Sequence, residues 1–281
     1  MWKTKLGISL GNKYSIPTHE VVSLVKQIGF DAISPEWAED TDLGIIVARA
    51  REIGLAVQSL HAPYYCTADL WSTEECKRLS ALDIIMKSLE DCHKHEIPVL
   101  VMHTWIGFDN IPAPSAEGVK SYMAIAEKAK KYNIKLALEN TEGLDHLEYL
   151  MEHFKGWDNV GFCWDSGHEM CYNYSQDLLS KFGDRLFMTH LNDNLGISRY
   201  DGTIYWTDDL HLFPYDGIAD WDYNVKRLKS ARQLEYLNFE LSIRSKPNRF
   251  ECAVYEKMTI EEYFTEAYKR ACRVAYALQR C

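Results

Sequence analysis

His61, His103, Glu139, Asp165, His168, His190, Asp209, His211 and Glu240 share one kind of address. Most stand at the end of a short apolar run or a few residues beyond it, as do Glu36 and Asp193, while Asp209 and His211, with Asp208, lie in the long loop that follows the seventh run. The other histidines, His19, His93, His95, His146 and His153, fall in segments with helical periodicity. Carboxylates aimed at one rim repel each other and raise each other's pKa unless a cation neutralises them. Imidazoles interspersed among them complete the donor chemistry that a divalent ion requires. The residue types therefore predict a divalent metal site whose carboxylates can also serve as bases. Each residue taken singly has a plainer reading. A strand-end carboxylate is often a helix N-cap, and Asp193 and Asp220 are candidates for that role alone.

What must position these residues is a recurring unit, a β-rich apolar run followed by a longer amphipathic segment. Strands are expected at Leu6–Leu10, Phe30–Trp37, Leu55–His61, Val99–His103, Lys135–Asn140, Val160–Asp165, Leu186–Leu191 and Leu237–Leu241. The helices between and after them are expected at Thr18–Ile28, with Thr18 as N-cap, Asp42–Ile53, Thr73–His95, Ser115–Tyr132, Leu144–Phe154 and Ser175–Phe182. Two more follow, one starting near Trp221 after a long loop at 192–220 and a last at Thr259–Leu278. Eight consecutive β-then-α units without a composition break predict an α/β fold, a closed (β/α)8 barrel forming a single domain over residues 1–281. Active sites of such barrels lie at the C-terminal ends of the strands, where the candidate ligands fall. No glycine-rich dinucleotide or P-loop fingerprint is present.

Composition narrows the classes further. The chain has 281 residues, 47% of them hydrophobic, enough for one large core and too many for a disordered chain. Against 31 basic residues stand 41 acidic ones, a net charge of -10 that counts against a nucleic-acid partner. The 8 cysteines form no C-x-x-C pair, so reduced, mostly buried thiols in a cytoplasmic protein are expected. The stretch Met1–Leu6 has no apolar run after its lysines, and no segment approaches a membrane span, so neither a secretory signal nor a membrane partner is expected.

The ordered set of strand-end segments resembles the xylose-isomerase-like TIM barrel superfamily, which holds sugar isomerases and epimerases and also the endonucleases of the abasic-site type. The segments are Leu60-His61-Ala62-Pro63-Tyr64, Val101-Met102-His103, Leu138-Glu139-Asn140-Thr141, Trp164-Asp165-Ser166-Gly167-His168 and His190-Leu191-Asn192-Asp193. They continue with Asp209-Leu210-His211, Gly217-Ile218-Ala219-Asp220-Trp221 and Phe239-Glu240-Leu241. The resemblance implies one divalent ion (Mn, Zn, Co or Mg) held by Glu139, Asp165, His190 and Glu240, with His168 on a substrate hydroxyl. The nuclease members carry a larger, three-zinc set, whose further ligands correspond to His61, His103, His168, Asp209 and His211. All of those positions are filled. The chain departs from classical xylose isomerase in its length and in lacking the lysine after the glutamate motif. It departs from the nucleases around Ile33–Trp37, where no DNA-handling motif is recognisable.

The expected activity is isomerisation or epimerisation of a small sugar or sugar phosphate, by proton transfer through a metal-stabilised cis-enediolate with Glu139 and Glu240 as catalytic bases. The alternative is a zinc-dependent phosphodiesterase acting on abasic DNA. Aromatic residues fall around the expected mouth, at Trp37, Tyr64, Tyr65, Trp71, Trp105, Phe108, Tyr200, Tyr205, Trp206 and Phe213. Of these Tyr64 and Trp105, with Glu36 on the rim, are taken as substrate contacts, since aromatic faces pack on sugar C–H surfaces. Arg244 could meet a substrate phosphate or carboxylate. No glycine-rich cradle accompanies it, so Arg244, Lys246 and Arg249 read first as a solvated charged loop. The long loop at 192–220 exceeds ordinary connections and is expected to be a lid or a contact between subunits of a homo-oligomer.

Overall fold

The computed structural model describes residues 4–11 and 14–281, so Met1 to Lys3 of the amino-terminal stretch discussed above lie outside the described residues. The strands are β1 (Lys5–Leu10), β2 (Ala32–Pro35), β3 (Ala56–Val57), β4 (Leu60–His61), β5 (Val99–His103), β6 (Lys135–Glu139), β7 (Val160–Asp165), β8 (Leu186–His190) and β9 (Tyr236–Phe239). The helices are α1 (Thr18–Ile28), α2 (Leu43–Glu52), α3 (Glu75–Lys94), α4 (Ala116–Lys131), α5 (Leu144–His153), α6 (Ser166–Cys171), α7 (Leu178–Phe182), α8 (Trp221–Ser230) and α9 (Ile260–Arg280). Every ladder is parallel, in the orders β3-β2-β1-β9 and β4-β5-β6-β7-β8. Parallel bridges from Glu36 to His61 and from Leu191 to Phe239 join the two sheets at both seams. The result is the eight-staved barrel expected from the sequence, in one domain. No described helix is long and apolar enough to cross a membrane.

The third stave departs from its expected continuous run. It changes partners halfway, β3 pairing with β2 and β4 with β5, and the break falls at Gln58 and Ser59. Gln58 donates its amide to Asn238 Oδ1 on β9, and the Ser34 and Ser59 hydroxyls meet at 2.6 Å. Asn238 in turn donates to the Ser9 hydroxyl. A Cβ at Gly7 would collide with the Gln58 amide, so glycine makes room for this buried polar layer.

Alternation along the remaining strands gives the lumen an apolar floor and a polar rim. Val99, Val101, Ala137, Cys163 and Met188 form a separate buried cluster. Continuing on the same faces of β5, β6, β7 and β8, two residues on from the last of these on each strand, are His103, Glu139, Asp165 and His190. The helices close the outside with their apolar stripes. Asp42, Ser115 and Asp220 cap α2, α4 and α8 with side-chain acceptors, and α9 opens on a Thr259–Glu262 capping box. Thr18 is the first residue of α1 rather than its cap, a position taken by Pro17.

The one expected helix that moved is Ser175–Phe182. A helix instead begins directly at Ser166, because Asp165 caps it by accepting from the His168 N–H at 2.6 Å. It ends before Tyr174 and Ser175, both with φ near +54°, and the chain turns helical again only at Leu178. In the long loop, Asp220 is the N-cap it was read as, but Asp193 is not. Fully buried, Asp193 accepts from the backbones of Asn194, Tyr215 and Ala219 and from the Trp221 indole, at 2.8 to 3.0 Å. It folds the loop back on itself. Replacing it, Asp193→Ala, leaves these donors buried without an acceptor and is expected to lower stability by about 3 kcal/mol. Urea unfolding and proteolysis within residues 195–218 check this, and an unchanged midpoint would contradict it.

Candidate metal centre

Glu139 sits fully buried at the end of β6, with both oxygens surrounded by imidazoles. Oε2 lies 3.2 Å from His61 Nε2 and 3.5 Å from His103 Nε2. Oε1 lies 3.1 Å from His190 Nδ1 and 3.4 Å from His168 Nδ1. His190 Nδ1 is also 3.1 Å from Glu240 Oε2, so the two glutamates share one ring nitrogen. Asp165 completes the group: ligand atoms of Glu139, Asp165, His190 and Glu240 all fall within 4.8 Å of one another. These are the four residues expected to hold the ion, brought together from β6, β7, β8 and the end of β9.

The further expected ligands also converge. His61, His103 and Glu139 form one set of potential donors, and His168, Asp209 and His211 another. His211 Nε2 is 2.9 Å from Asp209 Oδ2, and His168 Nε2 is 3.4 Å from Asp209 Oδ1. Three of the rings are oriented by the backbone. Nδ1 of His61 lies 2.7 Å from the Ala62 carbonyl, that of His168 3.0 Å from Asn140 O, and that of His211 3.1 Å from Glu240 O. A carbonyl only accepts, so each Nδ1 carries a proton and each Nε2 is turned inward for a proton or a metal.

Asp165 is held by asparagines that stand next to, or two residues beyond, the candidate ligands Glu139 and His190. Asn192 donates to both of its carboxylate oxygens, at 3.2 and 2.9 Å, and Asn140 bonds the Asp165 backbone on both sides. Gly167 is required here, since a Cβ would strike the Asn192 side chain. Burial drives the Asp165 carboxyl up to about 6. Burial would also raise Glu139 and Glu240, but the neighbouring imidazoles hold Glu139 well below the usual range and Glu240 at about 2. His103, desolvated, falls to about 3.

This donor set fits a dication. Three carboxylates, Glu139 and Asp165 buried and Glu240 partly so, and a buried imidazole lie within reach of one point, and among the described residues His103 Nδ1 and His190 Nε2 have no hydrogen-bond partner. Such a cluster is unstable electrostatically unless protons or a cation neutralise it.

The expected substrate contacts divide. Tyr64, 47% exposed, stacks on the His103 ring at 5.5 Å and reaches the mouth. Glu36, half-buried at the end of the second stave, turns its carboxylate toward Gly11. Arg244 is exposed on the loop after β9. Trp105 is buried, stacked on His146, with its indole donating to Gly107 O. Trp37, Trp71 and Phe213 lie in the hydrophobic core. The charged loop is not solvated throughout: Arg249 pairs with buried Asp208 at 2.7 Å and Lys246 with Asp209 at 3.1 Å. Residues missed in the sequence include Tyr172, stacked on His168 at 4.9 Å, and Glu142, which accepts from the Gly107 N–H. Burial pushes Glu142 up to about 7. Asn140 and Asn192 were visible only as neighbours of candidate ligands.

Burial lowers the His211 pKa, but Asp209 beside it outweighs that and raises it to about 9. A raised imidazole stabilises the fold fully below its unfolded pKa of about 6.5, and that stability is lost as pH rises through 9. Metal-stripped protein is therefore expected to lose on the order of 3 kcal/mol between pH 6.5 and 9. His211 lies outside the four residues expected to hold the ion, so the loss is expected to persist when a dication is added and to vanish in His211→Ala. Thermal unfolding with and without chelator at the two pH values measures this. A pH-independent metal-free midpoint would refute it.

The sequence profile of the xylose isomerase-like TIM barrel matches residues 22–249. An uncharacterized protein, y4fM, of Sinorhizobium fredii is 24% identical over an alignment covering 91% of this chain and 95% of its own. A probable endonuclease 4 of Mycoplasma mycoides is 24% identical over 48% of this chain and 52% of its own. Among solved structures, an L-ribulose 3-epimerase superposes with a TM-score of 0.73 at 15% identity, covering 99% of this chain and 96% of that one. The IolI protein with a bound zinc atom gives 0.74 at 18% identity, covering 95% and 97%. The profile spans most of the sequence, and the barrel and its strand-end cluster agree with it. The chain belongs to the xylose isomerase-like TIM barrel family.

Proposed function

We propose that the chain is a divalent-metal-dependent isomerase or epimerase acting on a small sugar or sugar phosphate. The observation that carries this reading is the pair Glu139 and Glu240, which reach one His190 nitrogen from non-adjacent staves, each at 3.1 Å. Two carboxylates approaching one point from different sides are what proton transfer on either face of a planar intermediate requires. Similarity to structures of sugar epimerases agrees with it.

Glu139, Asp165, His190 and Glu240 would hold the ion, which supplies Lewis acidity to a substrate carbonyl. The remaining work belongs to the chain. Glu139 is enclosed by imidazoles, whereas Glu240 retains 17% side-chain exposure and faces the mouth. Glu240 is therefore the better placed to take the proton from the carbon beside the carbonyl, leaving a cis-enediolate. Delivery on the opposite face of a proton that Glu139 draws from the His168 imidazolium beside it, with Glu240 releasing its own proton to solvent, inverts that carbon; return of the abstracted proton by Glu240 to the adjacent carbon, with the hydroxyl proton passing between the two oxygens, interconverts aldose and ketose. His168, with Nε2 turned inward beside Asp209, meets a substrate hydroxyl. Tyr64 over His103 and Tyr172 over His168 cover the cluster with aromatic faces and keep water from the enediolate.

A second reading has an observation of its own. The adjoining sets His61–His103–Glu139 and His168–Asp209–His211 could hold further ions for hydrolysis of abasic DNA, and a probable endonuclease 4 is similar over half the chain. The net charge of -10 opposes it. Incubation in deuterated water with a panel of aldoses, ketoses and their phosphates separates the two. Deuterium is expected at the carbon beside the carbonyl, lost on chelation and slowed about 10²- to 10⁴-fold in Glu240→Gln. No exchange with any sugar, together with chelator-sensitive nicking of abasic duplex, would reverse the ranking.

A further inference from the structure

Lys246, on the loop after β9, is folded inward: its side chain is only 25% exposed and its ammonium lies 3.1 Å from Asp209 Oδ2. The same carboxylate is the anionic member of the His168–Asp209–His211 set. The lysine is not placed there by a floppy tether. Its loop is fastened by the Arg249–Asp208 pair, by the Ser245 N–H donating to Glu256, and by the Ser242 N–H donating to His211 O. The ammonium also lies 6.0 Å from the centre of the Trp206 ring.

We propose that Lys246 supplies, as a built-in organic cation, the positive charge that a second metal ion would bring to Asp209, so that the chain holds a single dication. This rests on the reading of Glu139, Asp165, His190 and Glu240 as the metal ligands. The physical reason is like-charge repulsion in a poorly hydrated site, where the Lys246 ammonium already lies 3.1 Å from Asp209 Oδ2. A second dication beside Asp209 would sit against the fixed ammonium and face a carboxylate already neutralised, and like charges at close range with little solvent repel strongly. His168 and His211 then keep their inward nitrogens for hydrogen bonding to Asp209 and to substrate hydroxyls.

The test counts metal without using activity. Stripped protein is re-equilibrated with excess zinc, freed of unbound ion, and analysed for zinc per chain by elemental analysis, with circular dichroism to confirm folding. One zinc is expected in the wild type and in Lys246→Arg. Two are expected in Lys246→Met and in Lys246→Gln, the latter a polar variant for the case that methionine does not fold. Adding His211→Ala to either should return the count to one. Two or more zinc ions in the wild type, or a count of one in both neutral variants, overturns the proposal and leaves the metal centre standing. No zinc in the wild type overturns the metal centre and the proposal with it.

Discussion

A carboxylate with no solvent exposure organises this protein. Glu139 is buried at the top of the barrel lumen, where an unpaired charge would be strongly destabilising. Its oxygens are met by His61 from β4, His103 from β5, His168 from α6 and His190 from β8. The need to satisfy one carboxylate thus fixes the relative height of staves that are distant in the chain. It also explains why the barrel must close: the seam bridge between Glu36 and His61 sets the height of the third stave, whose histidine Glu139 requires.

Beneath that layer the lumen is divided. The β5–β8 side is apolar, and the side formed by β1, β2, β3 and β9 carries the Gln58–Asn238–Ser9 and Ser34–Ser59 hydrogen bonds. Asn238 is the hinge between structure and site. It is tied to Thr189 on β8 in both directions, and it lies two residues before Glu240, so the floor positions the more exposed of the two glutamates.

Around the centre, charge is arranged in nested pairs. Asn140 and Asn192 hold Asp165, Lys246 and the imidazoles hold Asp209, and Arg249 holds the buried Asp208. These three anions have oriented donors, whereas Glu139 and Glu240 share one His190 nitrogen and need protons or a cation to be neutralised. A site that is rigid before binding is what proton transfer at fixed positions demands. The same pairing limits how much further positive charge the mouth can accept.

The repeating pattern of apolar runs and amphipathic segments was sufficient to predict the barrel, because strand and helix periods are local properties of the chain. β5, β7 and α1 fall where the pattern places them, and the strand-end positions of Glu139, Asp165 and His190 were legible because residues near a parallel strand's end must face the rim. Other features were decided only in three dimensions. The third stave broke because its halves pair with different neighbours. The helix at Ser166 formed because Asp165 caps it and Gly167 makes room for Asn192. Asp193 became a loop organiser through donors as far away as Trp221, and Lys246 turned inward to a partner 37 residues away in sequence. Such pairings join chain segments whose separation carries no periodic signal, so composition and spacing could list the participants while only closure of the barrel selected the partners.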